Sequence, residues 1–120
     1  MKVKLETIVS ARPKLEKLFS LPLPAKTSYR VMRLMKKITS ELKMFEQKRI
    51  DLVKKYGEPT ENNKNIYNVK PDEILNFQKD MQEVLDVEIE IEFEPLTLDM
   101  LGNNAMSASD LLELEEFIKE

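Results

Sequence analysis

The chain has 120 residues, 42% hydrophobic and 34% charged, enough for one domain with its own core and too few for two. It contains no histidine and no cysteine, which excludes imidazole and thiol catalysis, disulfides, and zinc, iron–sulfur or blue-copper centres. Its two glycines, Gly57 and Gly102, cannot build a phosphate-cradling loop, and a net charge of −3, from 19 basic against 22 acidic residues, argues against a general nucleic-acid binder.

Lys2-Val3-Lys4-Leu5 alternates polar and apolar side chains and predicts a short strand at 2–5. Residues 6–19 carry Ile8, Val9, Leu15, Leu18 and Phe19 around Pro13, predicting a short, broken helix, because proline removes a backbone donor. Leu21-Pro22-Leu23-Pro24 disfavours helix at each residue preceding a proline and reads as an extended connector. Thr27 or Ser28 then offers an N-cap for a helix that runs to Tyr56, with Gly57 as the residue beyond its end and Pro59 preventing continuation. From Ser28 to Tyr56 that helix is about 43 Å long. A compact domain of this length is about 35 Å across, so the helix is expected to overhang it.

Within the helix Val31, Met35, Ile38, Leu42, Phe45, Arg49, Leu52 and Tyr56 alternate four and three apart, the spacing of a heptad seam. Met32, Leu34, Ile50 and Val53 widen the apolar face at the ends, whereas Glu41, Glu46 and Lys48 narrow it in the middle. Wide ends fit a globular core and a narrow middle fits a helix-to-helix seam, so residues 31–52 are the candidate self-association surface, with Arg49 either setting register or paired to Glu46.

Residues 57–69 are mostly polar and read as a mobile loop entering an extended piece at 66–69. Pro71, Asp72 and Glu73 suit a helix start, and Ile74, Phe77, Met81, Val84 and Leu85 line one face of a helix over 71–85. From Val87 to Glu94 apolar residues alternate with glutamate, predicting a strand over 87–93 that turns Val87, Ile89, Ile91 and Phe93 inward. Pro95 ends it, Thr97 caps a single turn closing at Gly102, and Ser107 or Ser109 caps a terminal helix bearing Leu111, Leu112, Leu114, Phe117 and Ile118. The expected fold is α+β in one domain, 1–120: a long central helix, two or three shorter helices and a small sheet containing 87–93 and 2–5. Its third strand is expected from 66–69 or from a second copy.

The segments Leu23-Pro24-Ala25-Lys26-Thr27-Ser28-Tyr29, Glu41-Leu42-Lys43-Met44-Phe45-Glu46, Leu52-Val53-Lys54-Lys55-Tyr56-Gly57, Leu85-Asp86-Val87-Glu88-Ile89 and Ser107-Ala108-Ser109-Asp110-Leu111 carry a resemblance. They resemble a family of small uncharacterised proteins of tailed phages and prophages of Gram-positive bacteria, over nearly the whole chain. The resemblance implies a place inside an infected bacterium or in a virion, and brings no catalytic residue or cofactor with it.

Glu88, Glu90, Glu92 and Glu94 form the one unusual polar row. Same-face residues of a strand lie about 6.8 Å apart, too far to converge on one cation whose ligands sit within about 2.6 Å. A solvated strand face opposite Lys2 and Lys4 is favoured, with mimicry of DNA phosphates as the functional reading. Arg30, Arg33 and Lys37 share a helix face that can meet phosphates, but no aromatics interleave with them. Carboxylate pairs are the only acid–base groups left, and no tryptophan-lined cleft accompanies them. No apolar run approaches the roughly 20 residues of a bilayer span, and no signal-peptide pattern opens the chain. The sequence therefore predicts a cytoplasmic, non-enzymatic interaction module, with no cofactor, no metal and no membrane partner, that forms a homo-oligomer or binds a phage or host protein. A nucleic-acid-associated regulator is the alternative.

Overall fold

In the computed structural model, which describes residues 1–119, the first strand is β1 (Lys2–Lys4), followed at once by α1 (Leu5–Phe19). Leu5, Ile8, Ala11, Leu15 and Leu18 recur three and four apart and are all buried, so one face holds this helix together along its whole length. Pro13 lies on the exposed side and the helix runs through it. The expected break is therefore absent: one lost backbone bond is outweighed by five buried side chains.

The long helix α2 (Ala25–Tyr56) spans 32 residues. Pro24 serves as its N-cap, its carbonyl accepting the Ser28 amide at 2.8 Å, so the helix starts ahead of the expected Thr27 or Ser28. At the other end Gly57 is extended, with φ −122° and ψ −178°, unlike the left-handed glycine that commonly follows a helix. A Cβ there would lie 2.4 Å from the Val53 carbonyl and 2.5 Å from that of Asn68. Glycine is needed for that close approach, which seats β2 (Gly57–Pro59) antiparallel to β3 (Tyr67–Val69). Residues 67–69 thus build a separate ribbon instead of the expected third strand of the main sheet. The connecting loop is pinned by Thr60, whose hydroxyl accepts the Asn63 amide at 3.1 Å and donates to the Asn63 carbonyl at 2.7 Å.

After a 3-10 turn at Pro71–Glu73, α3 (Ile74–Leu85) packs on the second half of α2. The strand β4 (Glu88–Glu90) then pairs antiparallel with β1, placing Lys2 opposite Glu90, Val3 opposite Ile89 and Lys4 opposite Glu88. Ile89, Ile91 and Phe93 point inward and are buried, while Glu88, Glu90, Glu92 and Glu94 are exposed. Val87, expected inside, is 52% exposed, because its amide still closes the last turn of α3 on the Val84 carbonyl and the pleat begins only beyond it. Regular pairing stops after Glu90, well short of the expected 87–93, since its partner β1 spans only three residues. A second 3-10 turn, Leu98–Leu101, ends at Gly102 with φ +59°, the left-handed region that favours glycine. The terminal helix is short, α4 (Ala108–Glu113), and the chain then returns so that β6 (Ile118–Lys119) lies parallel to β5 (Leu96–Thr97).

One apolar cluster joins β1, α1, the first half of α2, β4 and the C-terminal segment, with Ile8, Leu18, Leu96, Leu114 and Phe117 fully buried. The second half of α2, the β2–β3 ribbon and α3 extend from this body as an arm. The whole measures 52 × 28 × 24 Å, with a radius of gyration of 17.6 Å, against about 14 Å for a compact chain of this length. The long helix does overhang its domain.

Candidate functional site

The heptad residues of α2 divide into two groups. Val31 and Ile38 are buried in the main cluster and Leu52 is buried in the arm, which corrects the expectation that the entire stripe is available to a partner. Leu42 and Phe45 are half-buried beside the core, and Met35 is 37% exposed. Arg49 is held by its own helix: its guanidinium donates from Nε to Glu46 at 3.1 and 3.2 Å and from Nη2 at 2.5 Å. That ion pair raises the arginine and lowers the glutamate from their ordinary pKa values.

Between α1 and the middle of α2 lies an open groove of about 850 Å³. Leu15 and Phe19 form its wall on α1, and Met35, Ile38, Leu42 and Ile50 form its floor and wall on α2. Arg12 and Glu16 stand on one rim, Lys43 and Glu46 on the other. Phe19 and Met35 also border the adjoining hollow with Leu21, Leu23, Tyr29 and Met32, so apolar surface continues along α2 past the end of the groove. Sequence reasoning located Met35 and Leu42 and missed Leu15 and Phe19. Both carried an apolar signal, but only the packing of α1 against α2 brings them beside the stripe.

The glutamate row is interleaved with cations. The Met1 ammonium stands 3.5 Å from Glu90, Arg33 4.0 Å from Glu92 and Lys119 3.1 Å from Glu94. Lys119 and Arg30 hold the Glu94 carboxyl below its ordinary range. Lys4, in register with Glu88, turns to Asp86 at 3.9 Å. On the helix face proposed for phosphates, Arg30 donates to the Glu94 carbonyl at 2.6 Å and lies 5.9 Å from the Phe93 ring centre; Lys37 pairs with Glu41 at 3.0 Å.

The one buried charged residue among those described is Asp110. Its carboxylate takes Lys14 at 2.8 Å, Lys17 at 2.5 Å and the Ser107 amide at 3.1 Å, while its own amide donates to the Ser107 hydroxyl. This is a capping box clamped to α1, and Lys14, Lys17 and the Ser107 amide hold the Asp110 carboxyl far below its ordinary range. Both of its oxygens are occupied, so it offers neither a base nor a ligand. In the arm, the Tyr56 hydroxyl donates to Asp80 at 2.5 Å, with Lys55 at 3.7 Å; that bond raises the phenol and lowers the carboxyl.

Among the described residues no group of three or more carboxylates gathers to hold a metal ion, and no helix is long and apolar enough to cross a membrane. No family model, no curated protein and no solved structure matches the chain.

Proposed function

We propose that the protein is a non-enzymatic interaction module that self-associates through the long helix. One observation carries the reading: the chain exposes 8250 Å², whereas a compact monomer of 14.1 kDa exposes about 6,700 Å². The excess, about 1,500 Å², exceeds the roughly 800 Å² per partner that a standard specific interface covers. Part of the excess comes with a groove whose floor is leucine, isoleucine and methionine, a surface that water solvates poorly and a second protein covers well. The resemblance to phage and prophage proteins supplies the setting, phage assembly or a phage–host contact inside the infected cell or in the virion. A nucleic-acid role gains no support from the helix, because Arg30, Arg33 and Lys37 each have an intrachain partner. Sedimentation equilibrium over the micromolar range tests the proposal. Mass above one chain that Leu42→Asp returns to one chain supports it, since an unpaired carboxylate in the seam costs several kcal/mol. A single-chain mass for the unaltered protein throughout the range refutes it.

A further inference from the structure

We infer that the free edge of β4 takes a further strand from a protein partner, an extended segment with lysine or arginine at alternate positions. This surface shares no residue with the groove and does not depend on self-association. In an antiparallel pair the main-chain groups of successive residues point alternately toward and away from the neighbouring strand. The Leu5 amide donates to the Val87 carbonyl at 2.9 Å and the Ile91 amide to the Met1 carbonyl at 2.8 Å, so, with Val3 opposite Ile89, Ile89 turns its main chain to β1. The amides and carbonyls of Glu88 and Glu90 therefore face away from β1, and among the described residues no third strand pairs with them. Such an edge is a template for an added strand, and a two-stranded sheet gains most from a third. Beside the edge, a hollow of about 300 Å³ lies between Ile91 and Arg33, Leu34 and Lys37 of α2, room for the side chain that an added strand turns inward.

Charge selects the occupant. Residues opposite one another on neighbouring strands project to the same face, so the added strand sets two side chains against Glu88 and Glu90. A second copy offering the same edge sets glutamate against glutamate and is repelled. Lysine or arginine is attracted, and the other edge of β4 already carries that solution: Lys2 lies opposite Glu90 and Lys4 opposite Glu88, with Val3 between them buried. Those lysines do not consume the carboxylates. Lys4 turns to Asp86 and leaves Glu88 without an ion pair among the described residues, while Glu90, 63% exposed, has only the Met1 ammonium, at 3.5 Å. Glu94 is taken by Lys119 and stays outside the contact. On the inner side the stems of Arg33 and Lys37 accept an apolar side chain and their charges reject a second cation, so the partner alternates basic with apolar residues.

The test is binding of a capped, fluorescent peptide of alternating lysine and valine, read together with amide hydrogen exchange on the unaltered chain. Without peptide the Glu88 and Glu90 amides should exchange faster than those of Ile89 and Ile91; at a peptide concentration about ten times its Kd the two glutamate amides should slow about tenfold. A peptide with the same lysines and valines in two blocks, and one N-methylated at the amides that would meet the edge, should each bind about tenfold more weakly. Glu88→Gln with Glu90→Gln should weaken the alternating peptide by about tenfold and leave the Ile89 and Ile91 amides protected, which marks the sheet as intact. Equal affinity for the three peptides reduces the contact to charge alone and overturns the inference. Binding that leaves the Glu88 and Glu90 amides unprotected, or no binding, overturns it as well, and each result leaves the sedimentation test of self-association untouched.

Discussion

Phe117 and Leu52 are both buried apolar side chains, and they stand in unlike surroundings. Phe117 is fully buried in a cluster drawn from β1, α1, α2, β4 and the C-terminal segment, whereas Leu52 is buried outside that cluster. The neighbouring α3 has no buried residue along its length, and Ile74, Leu75 and Val87 are exposed. The body is held by packing. The arm is held by Leu52, the half-buried Phe77, Met81, Val84 and Leu85 of α3, a short ribbon and the Tyr56–Asp80 bond, and Val84 alone of α3 packs against the main cluster. Stability in this chain is therefore unevenly distributed, and the groove lies on the side of α2 where the strong region passes into the weak one.

The contrast can be broken by substitution. Phe117→Ala should have the largest effect, about 3–5 kcal/mol, and should lower global stability in denaturant titration. Leu52→Ala should cost about 2–3 kcal/mol, felt first in the arm: hydrogen exchange should quicken in α3 and the β2–β3 ribbon while the β1 and β4 amides keep their protection. Equal acceleration in both regions would show that body and arm open as one unit.

The charged clamp sharpens the comparison through pH. Asp110 has its pKa lowered from 3.8 in the folded state, so its stabilisation is present above the ordinary carboxylate pKa and is lost as pH falls below it. Asp110→Asn should lower the melting temperature by several degrees at neutral pH, and the gap from the unaltered protein should narrow steadily as pH falls below about 5. A pH-independent gap would show that packing, not charge, sets the effect. Ser107→Ala removes only the cap and should cost about 1 kcal/mol, measured by thermal melting. Smallest of all, Glu90→Gln with Glu92→Gln should shift stability by less than about 1 kcal/mol, since both carboxylates face water; unfolding of that double variant would mean the row is structurally committed.

Elements with a long period were legible from the residues. The alternation at Ile89, Ile91 and Phe93 gave the inward face of β4 and of the extended segment that follows it, and the stripe on α2 gave a helix that outgrows its domain. Pro13 misled because sequence shows the lost donor but not that its ring faces solvent. Gly57 misled for the opposite reason: its role depends on Asn68, eleven positions along the chain, crowding the site of a side chain. The parallel contact of β5 with β6 involves two residues from each strand, too few to leave a pattern. Half of the groove was readable from α2, and the half contributed by Leu15 and Phe19 depends on how two helices lie together.

The pairings of the body also set an order of events. Val3 meets Ile89 from 86 positions away, which makes β1 with β4 the longest-range strand pairing in the body. The ribbon and the Tyr56–Asp80 bond of the arm join residues at most 24 positions apart. Closing the longer loop costs about 1 kcal/mol more in chain entropy, and non-local pairing is the slow part of folding. The arm therefore closes early on a chain whose body is still open. In a refolding experiment its amides should be the first to gain protection, although at equilibrium they are the first to exchange.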